Sequence, residues 1–320
     1  MLACDRAIEL DSNSSYAWCF KGFVLVNLSR YDEAEMAFNR SLELDPENFL
    51  ALSGKGLAQS YQGKMLEALD TVYSTIISID PDNAESWANK AEFLSITGRE
   101  VEGIAAYDES IRLDPNLARA WNGKGVALDK LGRFEEGIQA YERAIAINSS
   151  YAEAWTNKGA ALGYLGRNLE ALECHDQAIK IDPDNAVAWH NRGNAQYQLG
   201  EHEEAILSYE MAIRLDPGYG EAWSGKAAVL LAQGKFDDAL AASDEAIGLD
   251  PRFAPAWNNK GSALGEMGRL DEALVCFEEA TKLDPDYLKA WINKGMLLEA
   301  LGKTDEAKAA YARVEELGGE

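Results

Sequence analysis

Apolar residues along this chain come in short bursts at helical spacing, and the bursts themselves recur. In residues 152–185, the run Ala152 to Leu165 sets Trp155, Gly159 and Leu162 on one helical face, and Gly166 supplies a natural stop. A second run, Asn168 to Ile181, carries Ala171, His175, Ala178 and Ile179 on one face and breaks at Asp182-Pro183. The spacing predicts two helices, each with one apolar face that it cannot bury alone.

The tryptophans give the period. Trp87, Trp121, Trp155, Trp189, Trp223, Trp257 and Trp291 stand 34 apart, and Trp18 lies 69 before Trp87, with Leu52 in the intervening tryptophan position. Nine units follow: 15–48, 49–83, 84–117, 118–151, 152–185, 186–219, 220–253, 254–287 and 288–320. Residues 1–14, with Cys4, Ala7, Ile8 and Leu10, match the later part of a second helix and are expected to be the remnant of a preceding unit. Asp-Pro closes every unit but one up to Asp284-Pro285, the exception being Asn148-Ser149. Units of this kind bury their apolar faces only by stacking, so one continuous solenoid over 15–320 is expected.

The positions Trp257, Gly261, Leu264, Ala273, Phe277, Ala280 and Pro285, repeated as Trp155, Gly159, Leu162, Ala171, His175, Ala178 and Pro183, resemble the tetratricopeptide repeat. The resemblance covers essentially the whole chain. It implies an all-α fold, a right-handed superhelical solenoid of antiparallel helix pairs, with the first helices lining a concave face. The small residues Gly125, Gly159, Gly193, Gly261 and Gly295 are expected where helices approach closely, with the tryptophans filling the space between units.

Several units depart from the pattern. In 49–83, Leu52 replaces tryptophan, Gln59 replaces leucine, and one residue is added between Ala68 and Tyr73, an insertion expected to form a π-bulge. Gly103 and Gly137 replace alanine in second helices and are expected to soften their units locally.

Composition narrows the function. A formal charge of −24 would repel a phosphate backbone, and no segregated basic stripe offsets it, so nucleic acid is not an expected partner. No apolar stretch is long enough to span a bilayer. Four dispersed cysteines suit a reducing, cytoplasmic setting. Met1-Leu2-Ala3-Cys4 has the look of a lipoprotein cleavage site without the preceding basic and apolar segments, and the likeness reads as accidental. Phosphate-binding glycine loops, zinc-protease motifs and nucleophile elbows are absent, so no catalytic residues and no cofactor are expected. Cys174, His175 and His190 are the nearest approach to a metal set, and lone histidines more often pack or face solvent. Pairs such as Glu135-Glu136 and Glu203-Glu204 fall where negative charge favours a helix N-terminus.

Two residues after the tryptophan position, asparagine recurs as Asn89, Asn157, Asn191, Asn259 and Asn293, with Asn122, Asn194, Asn258 nearby. Each amide offers both donor and acceptor, enough to clamp the backbone of an extended segment. This run resembles the asparagine ladder of the tetratricopeptide superhelix in O-linked N-acetylglucosamine transferases; the alternative is that the amides bond neighbouring helices. A cation recurs three after the tryptophan, from Lys21 to Lys294, and is expected to pack its stem while its tip meets a neighbouring acid. Glu85, Glu92, Asp129, Glu153, Glu221 and Glu299 against Arg119 and Lys289 give a weakly acidic floor that favours a neutral to basic protein or peptide. The chain reads as a non-enzymatic scaffold for protein–protein interaction. Self-association through uncapped ends and a targeting arm of a larger enzyme are the alternatives.

Overall fold

The computed structural model describes residues 2–318, and every regular element among them is an α-helix. Packing divides the chain into two compact units, Met1–Ser149 and Ser150–Glu320. The division falls at the one junction that lacks proline.

The first unit holds α1 (Leu2–Leu10) and the pairs α2/α3 (Ser15–Asn27, Tyr31–Leu44), α4/α5 (Phe49–Tyr61, Met65–Ile79), α6/α7 (Ala84–Ile96, Glu100–Leu113) and α8/α9 (Ala118–Lys130, Phe134–Ile147). The second holds α10/α11 (Ala152–Tyr164, Asn168–Ile181), α12/α13 (Ala186–Gln198, His202–Leu215), α14/α15 (Gly220–Ala232, Phe236–Leu249), α16/α17 (Ala254–Glu266, Leu270–Leu283) and α18/α19 (Leu288–Ala300, Thr304–Glu316). Inside each unit the two helices of a pair pack together, and the second helix packs on the first helix of the next pair.

Local chemistry explains where these helices stop. Eight first helices end at a glycine with φ of 72–80°, from Gly63 to Gly302, a left-handed conformation that costs an L side chain about 1–2 kcal/mol. Ser29 occupies that place after α2 at φ 57°. At the far ends, the Asp carboxylate of Asp-Pro accepts the amide two residues on, as Asp114 does from Asn116 and Asp250 from Arg252. The proline carbonyl then accepts the indole Nε1 proton of the tryptophan six residues later, at 2.9–3.0 Å for Trp87, Trp121, Trp189, Trp257 and Trp291. One short motif therefore ends a helix, turns the chain and orients the next helix's tryptophan.

The tryptophans do not form the deepest layer: they are half-buried, and packing is closed instead by the ring twenty residues further on. Phe38, Tyr141, Tyr209, Phe277 and Tyr311 lie against Gly22, Gly125, Gly193, Gly261 and Gly295, where an added Cβ would fall 2.5–2.8 Å from the ring. The glycines anticipated for close helix approach thus make room for an aromatic face.

Unit 49–83 differs from expectation. Its extra residue makes α5 fifteen residues long, one more than the other complete second helices except α19, with no π-bulge. The register carries on unchanged to buried Thr75, so Val72 takes the ring position and is exposed, while Tyr73 turns to Phe93. Buried Gln59, in place of leucine, accepts from Thr71 and donates to Glu35. Gln196 holds the corresponding place with the bond reversed, its amide donating to Ser208 Oγ and to the Glu204 carbonyl while its oxygen accepts from Arg192. Gly103 and Gly137 likewise have partners: a Cβ there would strike Ser95 Oγ and Asp129 Oδ1.

The recurring cation behaves as a structural link. Lys124, Arg192, Lys226 and Lys260 reach the acid sixteen residues earlier, Asp108, Asp176, Glu210 and Asp244, at 2.5–2.8 Å. Each also lies over its own tryptophan ring at 5.6–5.8 Å. Half-exposed pairs of this sort contribute about 0.2–1 kcal/mol apiece.

Candidate functional site

In the second unit, first helices α10 and α12 stand side by side with the start of α11 between them. Their junction forms a cavity of about 670 Å³ that is broadly open to solvent. Its wall on the α10 side is nearly bare, made of Gly159, Ala160 and Gly163, with Gly166 at the turn. Tyr164 edges it, Asn168 and His175 come from α11, and Asn191, Asn194, Ala195 and Gln198 come from α12. No charged side chain lines it.

His175 takes the ring position of its repeat, against Gly159, and is only 2% exposed. Its Nδ1 is buried without a hydrogen-bond partner. Burial, far more than its neighbours, lowers its pKa to about 4, so the ring is neutral near pH 7. His190 is pushed to about 4 by the same cause. It packs at a tilt against Tyr209 and Tyr219 at centroid distances of 5.7 and 4.9 Å and meets the Asn194 amide at 3.0 Å. The two histidines pack as neutral rings, and no group of three or more metal-ligating side chains occurs among the described residues.

The anticipated asparagines do not share one environment. Asn191 and Asn194 line the cavity; Asn194 also accepts from the Tyr209 hydroxyl at 2.7 Å. Asn259 is buried and donates to Ser224 O and Oγ, one repeat earlier, at 3.0 and 3.1 Å. Asn293 donates to Oδ1 of Asn258, at 2.8 Å, and Asn258 is itself fully buried. In the first unit, exposed Asn89 accepts from the Arg119 guanidinium, which also pairs with Glu85, while Asn122 is buried. Asn157 is half-buried on α10. Of the acids assigned to the floor, Asp129 accepts from the Tyr141 hydroxyl and Glu299 from that of Tyr311. Burial raises the Asp129 carboxyl to about 6 despite that bond.

Sequence reasoning missed Asn168, Gln198 and Gly163 as parts of a cavity. The available signal was His175, the one imidazole in a position otherwise held mainly by tyrosine or phenylalanine.

Models of the tetratricopeptide repeat family match residues 22–84, 84–117, 118–151, 161–200, 186–219, 220–245, 254–287 and 276–309. The chain belongs to the tetratricopeptide repeat family. Among curated relatives, human Tetratricopeptide repeat protein 13 is 31% identical over 98 residues, 29% of this chain and 11% of that protein. Tetratricopeptide repeat protein 37 of Xenopus laevis is 28% identical over 78 residues, 24% of this chain and 5% of that protein. The chain thus matches only a small fraction of either relative's length. A solved structure, the APC/C hetero-tetramer Cut9-Hcn1, aligns with a TM-score of 0.66 at 17% identity over 92% of this tetratricopeptide repeat chain and 58% of that chain, a likeness of fold. A thermophilic TPR protein in Thermus thermophilus, TTC0263, aligns with a TM-score of 0.50 at 24% identity over 57% of this chain and 98% of its own. No helix among the described residues is long and apolar enough to cross a membrane.

Proposed function

We propose that this tetratricopeptide repeat chain is a non-catalytic scaffold that holds an extended segment of a partner protein between its first helices, with the α10–α12 cavity as the principal seat. The observation that carries this reading is the amide-rich, uncharged lining of that cavity, formed by Asn168, Asn191, Asn194 and Gln198. Amides spaced along a cleft suit the alternating donors and acceptors of a peptide backbone. The lining asks for no particular charge, while the net charge of −24 on the whole chain favours neutral or basic segments over acidic ones. Asn191 is the member of the asparagine series proposed to grip the segment directly, while Asn194, bonded to Tyr209 and His190, is proposed to shape the wall beside it. Asn258, Asn259 and Asn293 are proposed to act at a distance, by fixing the spacing of first helices.

A library of random twelve-residue peptides displayed on phage, selected against the whole chain, tests the reading. The expected result is enrichment of sequences that bind at least tenfold more weakly to an Asn168→Ala, Asn191→Ala, Gln198→Ala triple variant with unchanged helical circular dichroism. Enrichment of nothing, or affinity indifferent to the three changes, would overturn it.

A further inference from the structure

Along their second helices most repeats neutralise acids in place. Arg30, Arg99, Arg133, Arg167 and Arg269 each hold the glutamate three residues on, at 2.5–2.7 Å. Further along the helix, Glu109 pairs with Arg112 and Glu279 with Lys282. Repeat 220–253 departs from both habits. Its first pair is Lys235 and Asp238, a cation without the guanidinium fork and a shorter acid, and no ion pair joins them. Its second acid is Glu245, and Gly248 takes the place that Arg112 and Lys282 hold in their repeats. Neither Asp238 nor Glu245 has an ion-pair partner among the described residues.

Both acids face one groove. Asp238, Ala241, Ala242 and Glu245 form a single stripe of α15, and with Ile206 of α13 and Trp223 and Leu230 of α14 they line a space of about 500 Å³ that is open to solvent. Ala241 leaves room there, where Leu207 stands one repeat earlier and Val275 one repeat later. Of the other charges in the lining, Glu210 and Lys226 hold each other at 2.8 Å, and Lys235 stands exposed at the start of α15. The groove therefore sets an apolar floor between two carboxylates two turns apart, about 10 Å along the helix. It shares no residue with the α10–α12 cavity.

We propose that the groove between α13 and α15 docks a helix of a partner protein that carries two basic residues two turns apart, facing Asp238 and Glu245, with apolar side chains between them set against Leu230, Trp223 and Ala241. Residues three, four and seven apart share one face of a helix, so a stripe of cation, apolar pair and cation complements the stripe of acid, alanine pair and acid. An acidic helix would meet two unneutralised carboxylates on a chain of net charge −24, and an uncharged one would desolvate them without return. The site is independent of the cleft between first helices, and both can be filled at once.

The probe is a capped helical peptide, Ala-Gln-Ala-Ala-Lys-Ala-Ala-Leu-Leu-Ala-Ala-Lys-Ala-Ala-Gln-Ala, titrated into the whole chain at low salt. Its control has the same composition, with the two lysines exchanged for alanines of the opposite face. The probe is expected to bind at least fivefold more tightly, since general attraction to an acidic chain is equal for both. Gly248→Lys gives Glu245 the in-chain partner it lacks; a Cβ there meets nothing within 4 Å, so the fold is kept, and the probe is expected to bind at least twofold more weakly. The double variant Asp238→Asn, Glu245→Gln and the groove-filling Ala241→Leu are each expected to weaken it at least fivefold with unchanged circular dichroism. Asn191→Ala is expected to leave probe binding as it was, whatever becomes of the first-helix cleft. No saturable binding, equal binding of probe and control, or affinity indifferent to Gly248→Lys, to the double variant or to Ala241→Leu would each overturn the proposal. So would weakening by Asn191→Ala, which puts the peptide in the other cleft. A peptide-free chain that sediments as a dimer, and as a monomer after Glu245→Gln, would assign the groove to a second copy and overturn the partner helix.

Discussion

Two stretches of the second unit share a skeleton and use it differently. Gly159, Gly163 and the ring-position His175 in 152–185 correspond to Gly261, Gly265 and Phe277 in 254–287. At the later stretch the amides are spent internally, Asn259 on Ser224 and Asn293 of the following repeat on Asn258, and the ring has no polar atom to satisfy. At the earlier stretch Asn191 of the following repeat faces the cavity, and no hydrogen bond among the described residues takes up its amide. Identical residue types at identical repeat positions are therefore spent on internal bonds in one place and left facing a cleft in another. What separates them is the neighbour one repeat away: Asn258 and Ser262 wait for Asn293, whereas Thr156 and Ala160 offer Asn191 no side-chain amide.

The comparison breaks most sharply at the ring. Phe277→Ala is expected to cost about 3–5 kcal/mol, since the ring fills a site closed by Gly261. His175→Ala is expected to cost at most about 2 kcal/mol, because one side of that ring already borders open space and the change removes an unpaired nitrogen. Urea denaturation of the two variants reads the difference, and equal losses would erase the distinction between the stretches.

Acid provides the next test. His175 and His190 take up protons less readily folded than unfolded, so their neutral, folded forms are favoured above about pH 6.5, and that stability drains away as the pH falls toward 4. Between pH 7 and 4.5 the second unit is expected to lose roughly 2 kcal/mol for each histidine, and His175→Phe to halve the loss. Asp129 in the first unit acts in the opposite sense: with its folded carboxyl raised to about 6, its burial penalty is relieved as the pH falls below that value. Hydrogen exchange at several pH values separates the two units, and a second unit insensitive to acid would contradict the burial of its histidines.

The asparagines carry smaller effects. Asn293→Ala is expected to destabilise by about 1–2 kcal/mol, leaving Asn258 buried with neither end of its amide bonded to a neighbouring side chain. Asn191→Ala is expected to stay within about 0.5 kcal/mol of wild type while weakening a bound peptide. Smallest is the turn after α2, where Ser29→Gly is expected to stabilise by about 1 kcal/mol in thermal unfolding, by relieving the left-handed backbone that glycine holds in the other eight repeats.

Much of this fold is written in local signals. The period of the tryptophans, the turn glycines and Asp-Pro each act within a few residues, so helix pairs, their order and their all-α class could be read from the chain. Helix-to-helix substitution was harder to see. Gln59 with Thr71 and Gln196 with Ser208 are compensated pairs twelve residues apart, and Gly103 with Ser95 and Gly137 with Asp129 are pairs eight apart, visible only when two helices are superposed on the repeat. The extra residue in α5 was misread because a longer helix that keeps its register hides an insertion as well as a bulge does. The buried Nδ1 of His175 was out of reach of sequence altogether, since it depends on how closely the imidazole packs against Gly159.

Nuclear magnetic resonance mapping of the whole, isotopically labelled chain with a peptide enriched from the random library tests the central claim most directly. Amide shifts concentrated in α10, the start of α11 and α12, with saturation at one equivalent, are the result this account predicts. Shifts centred instead on α16 to α18, where Asn259 and Asn293 are already engaged, would contradict it.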